Sequence, residues 1–161
     1  MIALELLTEK NIDAVRDIYR EDIPVSWVDD ADTIWELNQY GLEHNCIGHT
    51  YAVQYGDAYI GVILLGEAIP WKTDPEEMKN EPFYRLMGFV IDNRYRRQGI
   101  GGKVLKMVID EIYSEYGVRP IALGVHKENR AAARFYERHG FTAVDAMEGN
   151  DRYYIRYLQG E

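Results

Sequence analysis

Apolar positions along this chain alternate between a two-residue period and a helical one, and the switches between the two delimit the elements. Ile2 to Leu7 reads as a first strand, and Thr8 caps a helix whose apolar positions Ile12, Val15, Ile18 and Tyr19 recur at helical spacing. An acidic loop around Trp27 leads to a second helix around Ile34 to Leu42. Thr50 to Tyr55 and Tyr59 to Leu65 are rich in β-branched and aromatic residues and meet at Gly56-Asp57, a hairpin signal. Pro70, Pro75 and Pro82 make residues 69–82 a loop, long enough to serve as a lid.

The second half repeats the contrast more sharply. Phe83 to Ile91 is a strand, Asp92 to Gly102 a basic and glycine-rich turn, and Val104, Leu105, Val108, Ile109, Ile112 and Tyr113 form one stripe of a helix that Gly117 stops. Pro120 to Val125 is the next strand, so this β-turn-α-β unit crosses over right-handed into a parallel pair. Asn129 opens a helix through Arg130 to His139, Gly140 stops it, and Phe141 begins a strand. A turn at Met147 to Asp151 precedes a last strand, Arg152 to Leu158, which as an edge strand is available to pair across a homodimer. The order β-α-α-β-β-β-α-β-α-β-β predicts an α/β (α+β) fold, a mixed sheet with helices on both faces.

At 161 residues and 47% hydrophobic composition the chain supports one core but hardly two, so residues 1–161 are expected to form a single domain. No apolar run approaches a membrane-spanning length, no signal-like N-terminus is evident, and Cys46 is the only cysteine. Together these point to a cytoplasmic protein with no membrane partner. The net charge of -9 argues against nucleic acid. Its distribution is more informative: residues 1–80 carry 5 Lys and Arg against 16 Asp and Glu, residues 81–161 carry 13 against 11. One half is suited to hold a cation, the other an anion. No metal site is expected, because His44, Cys46 and His49 match no common zinc spacing.

The chemistry concentrates in Arg96-Arg97-Gln98-Gly99-Ile100-Gly101-Gly102-Lys103, between a strand and the first turn of an amphipathic helix. A helix start leaves N–H groups unpaired and carries partial positive charge, and glycines let a phosphate approach the backbone. A dinucleotide fingerprint would need glycine where Val104 stands, and a Walker loop would need Ser or Thr at the same position.

Arg96-x-x-Gly99-x-Gly101 resembles the signature of the GNAT superfamily of acyl-CoA N-acyltransferases. The preceding Phe89-Val90-Ile91-Asp92 and the downstream Asn129-x-x-Ala132-x-x-x-Tyr136-x-x-x-Gly140-Phe141 resemble that family's strand and helix at the corresponding places. The resemblance implies a mostly antiparallel sheet of about seven strands with a central parallel pair, and acetyl-CoA as co-substrate. It further implies that the amides of Arg97, Gln98, Gly99, Ile100, Gly101 and Gly102, with Arg96, hold the pyrophosphate. By the same resemblance Phe89, Val90 and Ile91 would pair with the pantetheine arm, Asn129 would contact its amides, and Tyr136 would protonate the leaving thiolate as general acid. The general base stays open among Glu67, Glu81 and a water chain. In this family the loop between the first two helices borders the acceptor site. Its carboxylates, Asp29 and Asp30 among them, therefore point to a small cationic amine such as a polyamine as acceptor. A peptide or protein amine, a non-catalytic acyl-CoA-binding regulatory module, and a dimeric interaction protein with an incidental turn are the alternatives.

Overall fold

The computed structural model describes residues 1–158. In chain order the elements are β1 (Ile2–Leu6), α1 (Ile12–Arg16), α2 (Ala31–Glu43), β2 (Gly48–Tyr55), β3 (Ala58–Glu67), β4 (Tyr84–Ile91), α3 (Ile100–Tyr116), β5 (Ile121–His126), α4 (Arg130–Arg138), β6 (Thr142–Glu148) and β7 (Asp151–Arg156), with single 3-10 turns at Glu76–Met78 and Asn93–Tyr95. The strands form one seven-stranded sheet in the order β1-β2-β3-β4-β5-β7-β6. Every pairing is antiparallel except β4 with β5, as the resemblance implies.

Alternation along the strands divides apolar residues between two faces, each covered by helices. On one face α3 buries Val104, Leu105, Val108 and Ile112, and α4 buries Tyr136, against Tyr84, Leu86, Leu123, Val125 and Tyr154. On the other face Ile12, Val15 and Ile18 from around α1, with Ile34 of α2, cover Ala52, Val62 and Val90. Further along that second face, Met78 and Phe83 of the β3–β4 connection pack on Ala122 and Ile155. Among the described residues no helix is long and apolar enough to cross a membrane.

Two sequence expectations are corrected. The first helix is shorter than its apolar spacing predicts: it starts after Asn11, the Thr8 hydroxyl instead accepts from the Lys10 amide at 3.2 Å, and Tyr19 lies beyond its end, half exposed. The last strand is not an edge. Chain order places it last, but β7 inserts between β5 and β6, so β6 and β1 form the edges and a dimer built on Tyr153 to Leu158 has no free strand to use.

The feature that positions the site is the parting of the parallel pair. β4 and β5 are matched only at Tyr84↔Ile121 and Arg85↔Ala122. Beyond Arg85 the register of β4 against β3 slips between Val62↔Val90 and Leu64↔Met87, so β4 carries one extra residue there. The bulge contains Gly88 at φ 64, and a bulge bends its strand. A Cβ at Gly88 would stand 2.2 Å from Cδ1 of Ile34, so both the positive φ and the approach of α2 require glycine. Gly88→Ala is expected to cost about 2 to 4 kcal/mol in urea unfolding, from left-handed strain plus overpacking. A loss under about 1 kcal/mol would mean that α2 gives way freely.

Candidate active site

A cleft of about 1460 Å³ runs through the gap between β4 and β5. Its two ends differ in charge, and each end is built by local sequence.

The basic end begins where β4 stops. Asp92 accepts hydrogen bonds from the amides of Arg94 (3.0 Å) and Tyr19 (3.1 Å) and from the Arg94 guanidinium (3.0 and 2.8 Å). It thereby closes the 3-10 turn and ties it to the segment after α1. These hydrogen bonds, led by the Arg94 guanidinium, hold the Asp92 carboxyl down at about 2 although burial opposes them. Arg97 (φ 64) and Gly99 (φ 76) then adopt left-handed backbone, turning successive amides toward the cleft before α3 begins at Ile100. The glycine at 102 has a packing reason as well: a Cβ there would sit 2.6 Å from Nε2 of His139, where α4 ends.

Of the residues expected to hold the pyrophosphate, Arg96, Arg97, Gly99, Gly101 and Gly102 line the cleft, and Lys103, Lys106, Arg138 and His139 join them. Gln98 points away, its amide donating to the Arg94 carbonyl at 3.4 Å, and the Ile100 side chain is buried in the core, so only their backbone is available. Arg96 donates through Nε to the Ile91 carbonyl (2.7 Å) and through Nη1 to the Asp22 carboxylate. Its Nη2 is buried with no hydrogen-bond partner among the described residues. An orphaned guanidinium nitrogen beside a nest of free amides is a chemical fit for a diphosphate.

Phe89 and Ile91 lie on the stretch of β4 that β5 leaves unpaired, while Val90 turns its side chain under α1 and α2. Asn129 caps α4, its Oδ1 accepting from the Ala132 amide at 3.3 Å, and also lines the cleft. Tyr136 lines the cleft from α4, wedged edge-on between Phe135 and Phe141. Burial pushes its phenol far up from the ordinary 10, so the proton stays on oxygen, and its hydroxyl bonds to no described residue.

The acidic end lies on the other face. Asp29 lines it, and burial, then the neighbouring Asp30, raises its carboxyl against the lowering effect of Arg20. Asp30 does not line the cleft: it caps α2 by accepting from the Thr33 amide at 2.9 Å. Glu67 and Glu81 are also elsewhere; Glu67 accepts from the Ile47 amide at 2.7 Å, and Glu81 is exposed on the β3–β4 connection. His44 and His49 face separate partners, the Tyr40 carbonyl and Glu115.

Residues not singled out from sequence complete this end: Glu148 and Asp151, which face each other across the last hairpin, with Trp27, Trp71 and Tyr153. Asp151 is raised by burial first, and also by Glu148 and Asp29, against His126. Two acids bracketing Gly149-Asn150 were the available signal, but only the strand order shows which end of the sheet that hairpin reaches.

Residues 12–141 match the Acetyltransferase (GNAT) family. The chain is 27% identical over 149 residues to the spermine/spermidine N(1)-acetyltransferase of Bacillus subtilis (strain 168), covering 92% of this chain and 93% of that one. Its fold is that of the PaiA N-acetyltransferase of Thermoplasma acidophilum in complex with coenzyme A, with TM-score 0.71, 17% identity and coverage of 98% and 99%. It is likewise that of Arabidopsis thaliana Naa50 in complex with the bisubstrate analogue CoA-Ac-MVNAL, with TM-score 0.65, 21% identity and 96% of each chain. The chain belongs to the acetyltransferase (GNAT) family and is an acetyl-CoA-dependent N-acetyltransferase.

Asp92 also makes the stability of the fold depend on pH. Its folded value lies below the ordinary 3.8, so the stability it contributes is complete above that value and is lost as pH falls through about 2. Urea titrations of the wild type and Asp92→Asn are expected to differ by about 1 to 2 kcal/mol at neutral pH, discounted for the exposed Arg94 partner. The two curves should converge toward about pH 2. A gap independent of pH would assign the effect to packing instead.

Proposed function

We propose that the acceptor is a small polycationic amine, such as a polyamine, and that the acetyl group passes to one of its primary amines by direct attack. One observation carries this reading: Asp29, Glu148 and Asp151, from three separate elements, line the same end of the cleft together with Trp27 and Trp71. Carboxylates concentrate and orient a polycation, and indole faces attract its ammonium groups. The likeness to a curated spermine/spermidine acetyltransferase over nearly the whole chain agrees with the same chemistry.

In this reading the amides of residues 97–102 and Arg96 hold the diphosphate. The unpaired edge at Phe89 to Ile91 holds the pantetheine as an added strand, with Asn129 contacting its amides. An N–H of that edge polarises the thioester carbonyl. An alkylamine near pKa 10.4 is almost wholly protonated at pH 7, so presenting its free base costs about 4 to 5 kcal/mol, and a carboxylate that takes the proton offsets part of it. When the tetrahedral intermediate collapses, Tyr136 donates its hydroxyl proton toward the leaving sulfur. Because a buried phenolate is costly, that donation acts mainly as a hydrogen bond that stabilises the thiolate as it forms.

Tyr136→Phe is expected to leave the calorimetric Kd for acetyl-CoA within about twofold and to lower kcat by roughly tenfold or more. Unchanged turnover at saturating substrates would remove Tyr136 from the reaction. In a panel of amines assayed by thiol release, spermidine and spermine should outpace monoamines and peptides, with kcat/KM falling as salt rises. Preference for a neutral or acidic acceptor would end the polyamine reading.

A further inference from the structure

The connection at residues 69–82 is fastened rather than free at its first half. Arg85, on β4 at the last matched pair before the strands part, is buried and grips Asp74 through both nitrogens, Nη1 to Oδ1 at 3.0 Å and Nη2 to Oδ2 at 3.2 Å. The same guanidinium donates to the Ile69 carbonyl (2.9 Å) and lies under the Trp71 ring, 3.6 Å from its centroid. The Trp71 amide donates back to Asp74 Oδ2 at 2.8 Å. An isolated buried ion pair contributes little net stability, so a clamp this complete suggests a task beyond holding a loop.

That task is visible in what Asp74 touches next. Tyr153 donates its hydroxyl to Asp74 Oδ1 at 3.1 Å, the Tyr153 oxygen lies 3.0 Å from Thr73 Oγ1, and Thr73 Oγ1 lies 3.0 Å from Glu148 Oε2. A line of short contacts thus runs from the buried pair to a carboxylate in the cleft: Asp74, Tyr153, Thr73, Glu148. Each hydroxyl owns one hydrogen. With both carboxylates ionised, two hydrogens must serve three contacts, and one oxygen pair is left facing lone pair to lone pair. A third proton completes the line. If it sits on Glu148, then Glu148 donates to Thr73, Thr73 to Tyr153 and Tyr153 to Asp74, and every contact is a hydrogen bond.

We infer that Glu148 is the group that takes the proton from the acceptor ammonium, and that Thr73, Tyr153 and the Arg85–Asp74 pair are positioning residues that complete their hydrogen bonds when it does. The inference rests on the amine-acceptor reading above. The step balances: the N–H bond of the ammonium breaks, the proton forms an O–H bond on Glu148, and the freed lone pair attacks the thioester carbon. A C–N bond forms, the nitrogen sheds its second proton to solvent water as it becomes an amide, and the C–S bond breaks as the thiolate departs. Glu148 later returns its proton to solvent. The far end of the line does not compete for that proton. Burial works to raise the Asp74 carboxyl, but Arg85, the Trp71 amide and Tyr153 outweigh it and hold it below the ordinary range. Burial also pushes the Tyr153 phenol up to about 12, so its hydrogen stays in place. The two other carboxylates at this end, Asp29 and Asp151, accept no hydrogen bond from any described residue and remain free to hold the substrate's other cationic centres.

The test uses the whole chain, with spermidine and with 2,2-difluoroputrescine, whose fluorinated end is a much weaker base. On spermidine, Glu148→Gln should lower kcat about a hundredfold while moving the acceptor KM little, and the defect should shrink to under about tenfold for acetylation at the fluorinated end of the diamine, followed by fluorine NMR, because that end needs less help to lose its proton. Thr73→Val and Tyr153→Phe should lower kcat severalfold without altering the calorimetric Kd for acetyl-CoA, and Thr73→Ser should restore the rate. If Glu148→Gln instead raises KM and leaves kcat at the wild-type value, the carboxylate only binds and the inference is overturned while the acceptor reading stands. If the wild type turns over neither amine, the acceptor reading fails. The same variants, assayed on the amine that a broader panel selects, then decide the proton step: an unchanged kcat there overturns it.

Discussion

The arrangement depends on one departure from regular pairing, the separation of β4 from β5 after Arg85. A parallel pair inside a sheet normally hides its backbone on both sides, yet here β4 keeps its partner β3 while presenting its other edge to a cleft. Unpaired buried N–H and C=O groups are costly, so such an edge persists only where something outside the sheet satisfies it. Arg96 Nε does so for the Ile91 carbonyl, and in the proposed complex a substrate arm with amides of its own does so for the rest. The bulge at Gly88, held by the approach of Ile34, bends β4 and thereby joins the packing of α2 on the second face to the width of the opening.

Charge is organised around that opening. In a chain of net -9, Arg96, Arg97, Lys103, Lys106 and Arg138 gather at the end of the cleft where backbone amides are already free. Its excess of carboxylates falls partly on the opposite end. The two ends are also connected mechanically. Arg96 reaches Asp22, Asp92 holds the Tyr19 amide, and Arg20 clamps the carbonyls of Val28 and Asp29 at 2.7 and 2.8 Å. The loop that carries Asp29 into the cleft is therefore fastened to the glycine-rich turn at the basic end, so ordering one end restrains the other.

Much of this was legible in the sequence, and the reasons are local. The strand–glycine turn–helix around Gly99 and the Asn129-to-Phe141 helix are written in contiguous residues, so their elements and their place in the fold followed from spacing and resemblance. Asp30 shows the limit of a local reading: its carboxylate was expected in the acceptor site but serves as the cap of α2, a role the sequence permits equally well. Glu148 and Asp151 were passed over because their importance depends on β7 inserting beside β5, a non-local pairing that leaves no trace in the residues between. The same insertion removed the expected edge strand. Asp74 with Arg85 was hidden for a similar reason: ten residues separate two charges that meet only because β4 turns Arg85 to the face over which the connection returns.

In the proposed mechanism the two faces of the sheet also keep the proton movements apart. Tyr136 belongs to the layer of α3 and α4, with Leu123, Val125 and Tyr154. Asp151 and Tyr153 alternate with Tyr154 along β7 and so belong to the other face, as Arg85 does by alternating with Tyr84 and Leu86. The carboxylates of the acidic end and the Tyr136 hydroxyl are thus on opposite sides of a wall with one opening. In the proposed reaction the reacting carbon lies in the plane of the sheet, between the parted strands, with the amine entering from one side and the thiol leaving on the other. Neither proton can shortcut to the other group, because the strands on both flanks are paired and their side chains packed. With Tyr136 and Glu148 in their proposed roles, this separation keeps acid and base from neutralising each other directly, and the acetyl transfer itself becomes the event that couples them.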